Sequence, residues 1–119
     1  MKIIFDQNTP KGLASRLVGH HVSVPRQLGW ERIVNGLLLA TAETAGFELL
    51  LTCDTNIKYQ QNLTGRRIAI VQLTTNHWRS IRACCADILA AVNKAQPGSY
   101  QTVAIPQLPF ERRRRRNAS

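Results

Sequence analysis

The chain has 119 residues with 44% hydrophobic content, which fits one globular domain with an ordinary core and leaves no room for a second. Its formal charge is +9, and residues 1–110 alone carry 11 Lys and Arg against 6 Asp and Glu, a surplus that favours a polyanionic partner such as nucleic acid. No apolar run approaches the roughly 18 residues of a membrane span. Asp6 interrupts any signal-peptide core, and the odd set Cys53, Cys84 and Cys85 is a poor disulfide framework. The expectation is a cytoplasmic protein with reduced thiols and no membrane contact. A zinc site is disfavoured too, because there is no C-x-x-C and the histidines lack paired spacing.

Lys2 to Phe5 is short, apolar and β-branched, and reads as a buried strand ending at Asp6. Asn8 or Thr9 then caps a short helix with Pro10 in its first turn, an apolar face of Leu13, Ala14, Leu17 and Val18, and a stop at Gly19. His20 to Val24 is a second strand, and Arg26 to Val34 an irregular connection. Asn35 caps the next helix, with Leu37, Leu38, Thr41, Ala42 and Ala45 on one face and Gly46 as its end. Phe47 to Thr52, with three consecutive leucines, reads as a strand covered on both sides. Thr55 to Arg67 is a polar loop with a helical turn, and Ile68 to Leu73 a further buried strand. Asn76 caps the clearest helix, in which Ile81, Cys84, Cys85, Ile88, Leu89 and Val92 share a face. After Pro97-Gly98, Tyr100 to Ile105 offers a fifth strand.

Strands alternating with helices predict an α/β fold, a three-layer α/β/α arrangement around a mainly parallel four- or five-stranded sheet. Ligands in such sheets sit beyond the carboxyl ends of the strands, and Asp6 and Asp54 both follow apolar runs at predicted carboxyl ends. Were their strands neighbours, two like charges would converge, and a divalent cation would relieve the conflict. Magnesium suits one or two carboxylates and keeps waters of its own. From spacing alone the competing reading stays open: an aspartate after a strand is often a turn residue or a helix cap.

The opening MKIIFDQNTP, the central GWERIVNGLLLATAETAGFELLLTCDTN, and the later YQQNL and RRIAIVQL resemble the small PIN-like proteins, whose motifs run close to MKILLDENLP, GW, DGELL and LLTxDxN. The resemblance covers roughly residues 1 to 78. It implies a PIN-like domain over 1–110 and, where such proteins are active, RNA cleavage with Mg2+ or Mn2+ held by acidic side chains. It further implies a homodimer and the toxin role many relatives play beside a small antitoxin protein. Carried onto this chain, Asp6 matches the first-strand acid and Asp54 the acid of LLTxD. Asn35 and Asn56 hold amides where relatives place acids. Glu31, whose loop leads into Asn35, is a better substitute than Glu43, which lies about two turns from the strand ends.

Around these acids, Asn8, Asn56, Lys58 and Gln60 are the expected substrate-binding residues, with Gln7, Thr52 and Gln61 bordering the same cleft and Lys58 placed to touch phosphate. Residues 111–119 form a basic tail in which Arg112, Arg113, Arg114, Arg115 and Arg116 could meet up to about five phosphates. A solvated terminus, or a contact with an acidic antitoxin, are its other readings. Two further functions compete with the nuclease. One is a binding module whose depleted acidic site no longer cuts; the other is an assembly partner that pairs through Leu28, Trp30 and Trp78.

Overall fold

All five expected segments form strands: β1 (Lys2–Phe5), β2 (His21–Ser23), β3 (Leu49–Thr52), β4 (Ala69–Leu73) and β5 (Tyr100–Val103). In this computed structural model, which describes residues 1–33, 35–55 and 65–107, they form one sheet in the order β2-β1-β3-β4-β5. Every pairing is parallel. β3 and β4 are buried along their whole length, which explains why both are written almost entirely in apolar residues.

Alternation along the strands divides the core between two faces. Ile3, Phe5, Leu49, Leu51, Val71 and Leu73 meet Leu13 and Leu17 from the segment after β1, and Ile81, Ile88 and Val92 from helices α2 (Trp78–Ala83) and α3 (Cys85–Asn93). Ile4, Leu50 and Ile70 meet Leu38, Leu39 and Ala42 of helix α1 (Asn35–Thr44). Helices on both faces of a parallel sheet make the three-layer α/β/α architecture expected from the sequence. No helix among the described residues is long and apolar enough to cross a membrane.

Local details depart from expectation. The segment after β1 is a 3₁₀ helix, Lys11–Arg16, with Pro10 at its start and no side-chain cap. Thr9, expected to cap it, is engaged elsewhere, and the turns close through Leu13 N–H to Pro10 C=O and Leu17 N–H to Ala14 C=O. Gly12 is needed there for proximity, since a Cβ would lie 2.9 Å from the Trp78 ring. Val18, expected on the apolar face, is 75% exposed. In α1 the buried stripe is Leu38, Leu39 and Ala42, while Leu37 is exposed. The residue at the cap position of α2 is His77, not Asn76, and it makes no side-chain cap.

The long helix foreseen from Asn76 is broken at Cys84, which has φ −117° and ψ 18°. Ile81 C=O accepts from Cys84 N–H at 2.9 Å and from the Cys85 thiol at 3.6 Å. A local side-chain donor thus competes for a carbonyl that a continuous α-helix would use for its own ladder. Ile88 N–H to Cys84 C=O restarts the helix.

Candidate functional site

The strand order reverses direction between β1 and β3, since β2 lies on one side of β1 and all later strands lie on the other. The carboxyl ends flanking such a switch point form the usual ligand crevice of an open parallel sheet. Asp6 follows β1 and Asp54 follows β3 by two residues, so both stand at that crevice. α1 runs from the end of β2 back to the start of β3, which puts its amino terminus, Asn35, at the same edge.

Register supplies the rest of the site. Ile4, Leu50 and Ile70 lie side by side, and two residues further Thr52 pairs with Gln72. Asp6 extends the ladder by one bond, its N–H donating to Leu51 C=O. A polar row of Asp6, Thr52 and Gln72, each at most 7% exposed, therefore caps an apolar one.

Hydrogen bonds fix this row. Asp6 Oδ2 accepts from the Thr52 hydroxyl. Its Oδ1 accepts from the Thr9 hydroxyl at 2.7 Å and from Asn8 N–H at 3.2 Å. Thr52 Oγ1 in turn accepts from Asp54 N–H at 2.9 Å. One threonine thus joins the two aspartates, side chain to side chain on one hand and side chain to backbone on the other. Thr9 lies beside Leu51 C=O as well, at 3.2 Å, which ties the loop after β1 to β3.

Two neighbouring groups register these charges. Burial pushes the Cys53 thiol up to about 11, with the Asp6 carboxylate adding to the rise and a Thr9 hydrogen bond opposing it. The Tyr100 phenol is also raised, first by burial and then by the charge of Asp54. Tyr100 donates to Gln72 Oε1, so the polar row continues to β5.

On the β2 side a cleft of about 270 Å³ opens, lined by Asp6, Gln7, Thr9, Lys11, Arg26 and Glu31. Gln7 Nε2 donates to Glu31 C=O and holds that loop over the first strand. Of the acids singled out in the sequence, Asp6, Asp54 and Glu31 all border the crevice, Glu31 on the far side of Asp6 from β3. Glu43 does not. It sits near the amino end of β4, paired with Arg66 at 3.1 Å and accepting from Arg67 and Ile68 N–H.

Asn8 contributes its backbone N–H rather than a cap, and its side chain is exposed. Asn35 opens α1, and its side chain lies outside what the structure describes, as do Asn56, Lys58, Gln60 and the arginines 112–116. Among the described residues no three of His, Cys, Asp and Glu gather as a ligand set. The surface imagined for assembly is partly used internally. Trp30 packs edge-on against Phe47 at 5.9 Å, and Trp78 lies under Gly12 and near Arg16.

Sequence reading did not single out Lys11, Arg26, Gln72 or Tyr100. Signals existed for three of them. Gln72 is a lone polar residue inside the apolar strand AIVQL, and Lys11 and Arg26 each follow a proline shortly after a strand. No protein-family model matches the chain, and no curated protein or solved structure matches it.

Proposed function

We propose that the chain is a metal-dependent endoribonuclease of PIN-like type, acting as the toxin of a toxin–antitoxin pair. The single observation that carries the catalytic part is the Thr52 hydroxyl, which binds the Asp6 carboxylate and the Asp54 amide at the switch point of a parallel sheet. The toxin part rests on the sequence resemblance, and the basic surplus suits RNA.

The donor set fits a magnesium or manganese ion. A carboxylate offers about four acceptor positions; Asp6 uses two on Oδ1 and one on Oδ2. One position on Oδ2 is left for a cation, and Asp54, two residues beyond β3 at the same crevice, would bring the number of carboxylates to two, a number magnesium accepts. Asp6 and Asp54 would hold the ion, which when bound supplies Lewis acidity and charge neutralisation at the phosphate. The chain's own residues do the positioning. Thr9 and Thr52 fix the Asp6 carboxylate in one orientation, and the row is buried except where Asp6 borders the cleft on the β2 side.

The test is cleavage of single-stranded RNA by the full chain with Mn2+, with and without chelator. Asp54→Asn keeps the backbone N–H that Thr52 needs and is expected to lower cleavage at least about a hundredfold. Cleavage that persists in chelator and in that variant would remove the proposal.

A second reading, a binding module that no longer cuts, is favoured by the three hydrogen bonds already satisfying Asp6 and by the amide at Asn35. It predicts an inactive parent in which Asn35→Asp creates Mn2+ binding and cleavage. An active parent sinks it.

A further inference from the structure

The cleft on the β2 side holds two cations that the RNA reading does not use. Lys11 opens the 3₁₀ segment after β1, and Arg26 is the second residue of the 3₁₀ turn Pro25–Leu28 after β2. The two strands are parallel neighbours, so equivalent turns at their carboxyl ends bring both side chains to one cleft. The prolines at 10 and 25 set the backbone angle at which each turn begins.

Both residues are exposed, and among the described residues neither is held in an ion pair. That is notable because Asp6 and Glu31 line the same cleft. Asp6 is instead satisfied by hydroxyls and a peptide N–H, so these cations stay available to an outside anion. The cleft adjoins Asp6 itself, the acid at which a scissile phosphate would be presented.

Resting on the nuclease reading for its substrate class, we propose that this cleft is a phosphate-binding subsite for single-stranded RNA. Lys11 and Arg26 hold the phosphate next to the one presented at Asp6, so the strand runs over the β2 side of the crevice. Arg26 offers a planar fork of donors and Lys11 a mobile point charge, a combination that grips a phosphodiester without reading a base.

The experiment measures binding of a short single-stranded RNA to the full chain over a range of salt concentrations, in calcium to suppress turnover, alongside a separate Mn2+ cleavage assay. Lys11→Ala and Arg26→Ala are compared with Lys94→Ala, which removes an exposed cation just beyond α3, at the opposite edge of the sheet. Each cleft variant is expected to bind about 3- to 10-fold more weakly and to flatten the salt slope by about 0.7, one phosphate contact on a single strand. Lys94→Ala is expected to leave both near the parent values. Thermal melting of each variant confirms that an exposed substitution has left the fold intact.

Unchanged affinity and slope in both cleft variants, or an equal loss in Lys94→Ala, overturns the subsite. The two proposals fail separately. A parent that cleaves RNA while the cleft variants bind normally keeps the nuclease and loses the subsite. A parent that never cleaves but shows the flattened slopes keeps the subsite and loses the nuclease.

Discussion

The two edges of the sheet treat their acids differently. At the amino edge, Glu43 meets the Arg66 guanidinium and the N–H groups of Arg67 and Ile68, and Glu48 accepts from Lys2 N–H at 2.9 Å. Lys2 itself reaches Ala45 C=O and lies 4.5 Å over the Phe47 ring. At the carboxyl edge, Asp6 is buried against hydroxyls and a peptide N–H, with Lys11 and Arg26 lining the same cleft outside any ion pair among the described residues. A carboxylate neutralised by its own chain contributes mainly to holding elements together. One held by neutral donors keeps its negative charge directed at whatever enters the crevice. The amino edge is therefore read as the stabilising edge, and the carboxyl edge as the working one.

The sharpest test of that contrast is Thr52→Val. It leaves the shape of the side chain and removes the hydroxyl, so Asp6 Oδ2 loses a donor and Asp54 N–H an acceptor. Losing one buried bond to a carboxylate and one part-buried bond to a peptide N–H is expected to cost about 3 kcal/mol, seen in urea unfolding. Thr52→Ser, which restores the hydroxyl, should recover most of it. If valine is tolerated within about 0.5 kcal/mol, the row at the carboxyl edge is not the organised unit described above.

Much of this was legible beforehand, and the reasons differ by element. β1, β3 and β4 were readable because a buried strand needs a short apolar block, and each of those blocks ends where its strand ends; the part-exposed edge strands β2 and β5 stop at Ser23 and Val103, short of the expected Val24 and Ile105. The place of Asp6 and Asp54 at the carboxyl edge was readable because each follows such a block within two residues. The partners of Asp6 were not. Thr9 looks like a helix cap in the sequence, and only the position of β3 reveals that its hydroxyl has a better acceptor in Asp6. The break at Cys84 was hidden for a related reason, since the apolar spacing from Ile81 to Val92 satisfies a continuous helix, while the Cys85 thiol competes for one carbonyl inside it. Leu37 and Leu39 could not be ranked, because three adjacent leucines define no unique face.

Cysteine labelling probes whether the working edge is closed below its polar row. Cys53 is buried behind Asp6 and Thr9 with its thiol pushed up to about 11, whereas Cys84 and Cys85 are half-buried. At pH 8 only about one Cys53 in a thousand is thiolate. Native protein should therefore label Cys53 at least about a hundredfold more slowly than the other two, with the third thiol appearing on denaturation. The sign also fixes an alkaline effect. The raised thiol contributes stability that is intact below its ordinary value of 9.0 and is lost as pH climbs toward about 11. Three thiols reacting together in native protein would mean that water reaches the floor of the site.

Tyr100→Phe sharpens the comparison at the far end of the row. The variant keeps the ring packed on the α1 face and removes only the donor to Gln72. A buried amide oxygen left without that partner is expected to cost about 1 kcal/mol, measured by denaturant midpoint. Under the nuclease reading, cleavage should fall less than in Asp54→Asn, because the phenol feels the Asp54 charge without sharing its hydrogen bond to Thr52. A Tyr100→Phe chain as inactive as Asp54→Asn would make the phenol part of the reacting constellation.

Glu43→Gln is the matched change at the amino edge and should have the smallest effect. The Arg67 N–H, more than any other partner, holds this carboxyl below its ordinary value of 4.5, and the Arg66 side chain and Ile68 N–H act in the same direction against burial. A lowered carboxyl contributes stability that is present above its unfolded value and is lost as pH falls through the folded one. Removing the charge should therefore cost about 0.5 kcal/mol near neutrality, the scale of a half-exposed ion pair in water. The same change should make the acid decline in stability shallower below about pH 4.5. RNA cleavage and the salt slope should not move, because Glu43 faces the edge opposite Asp6 and Asp54. If Glu43→Gln lowered RNA affinity or turnover as much as a carboxyl-edge variant does, the division of labour between the two edges would be wrong, and the cleft of about 450 Å³ that Glu43 lines with Phe47 and Arg67 would become the place to look for substrate.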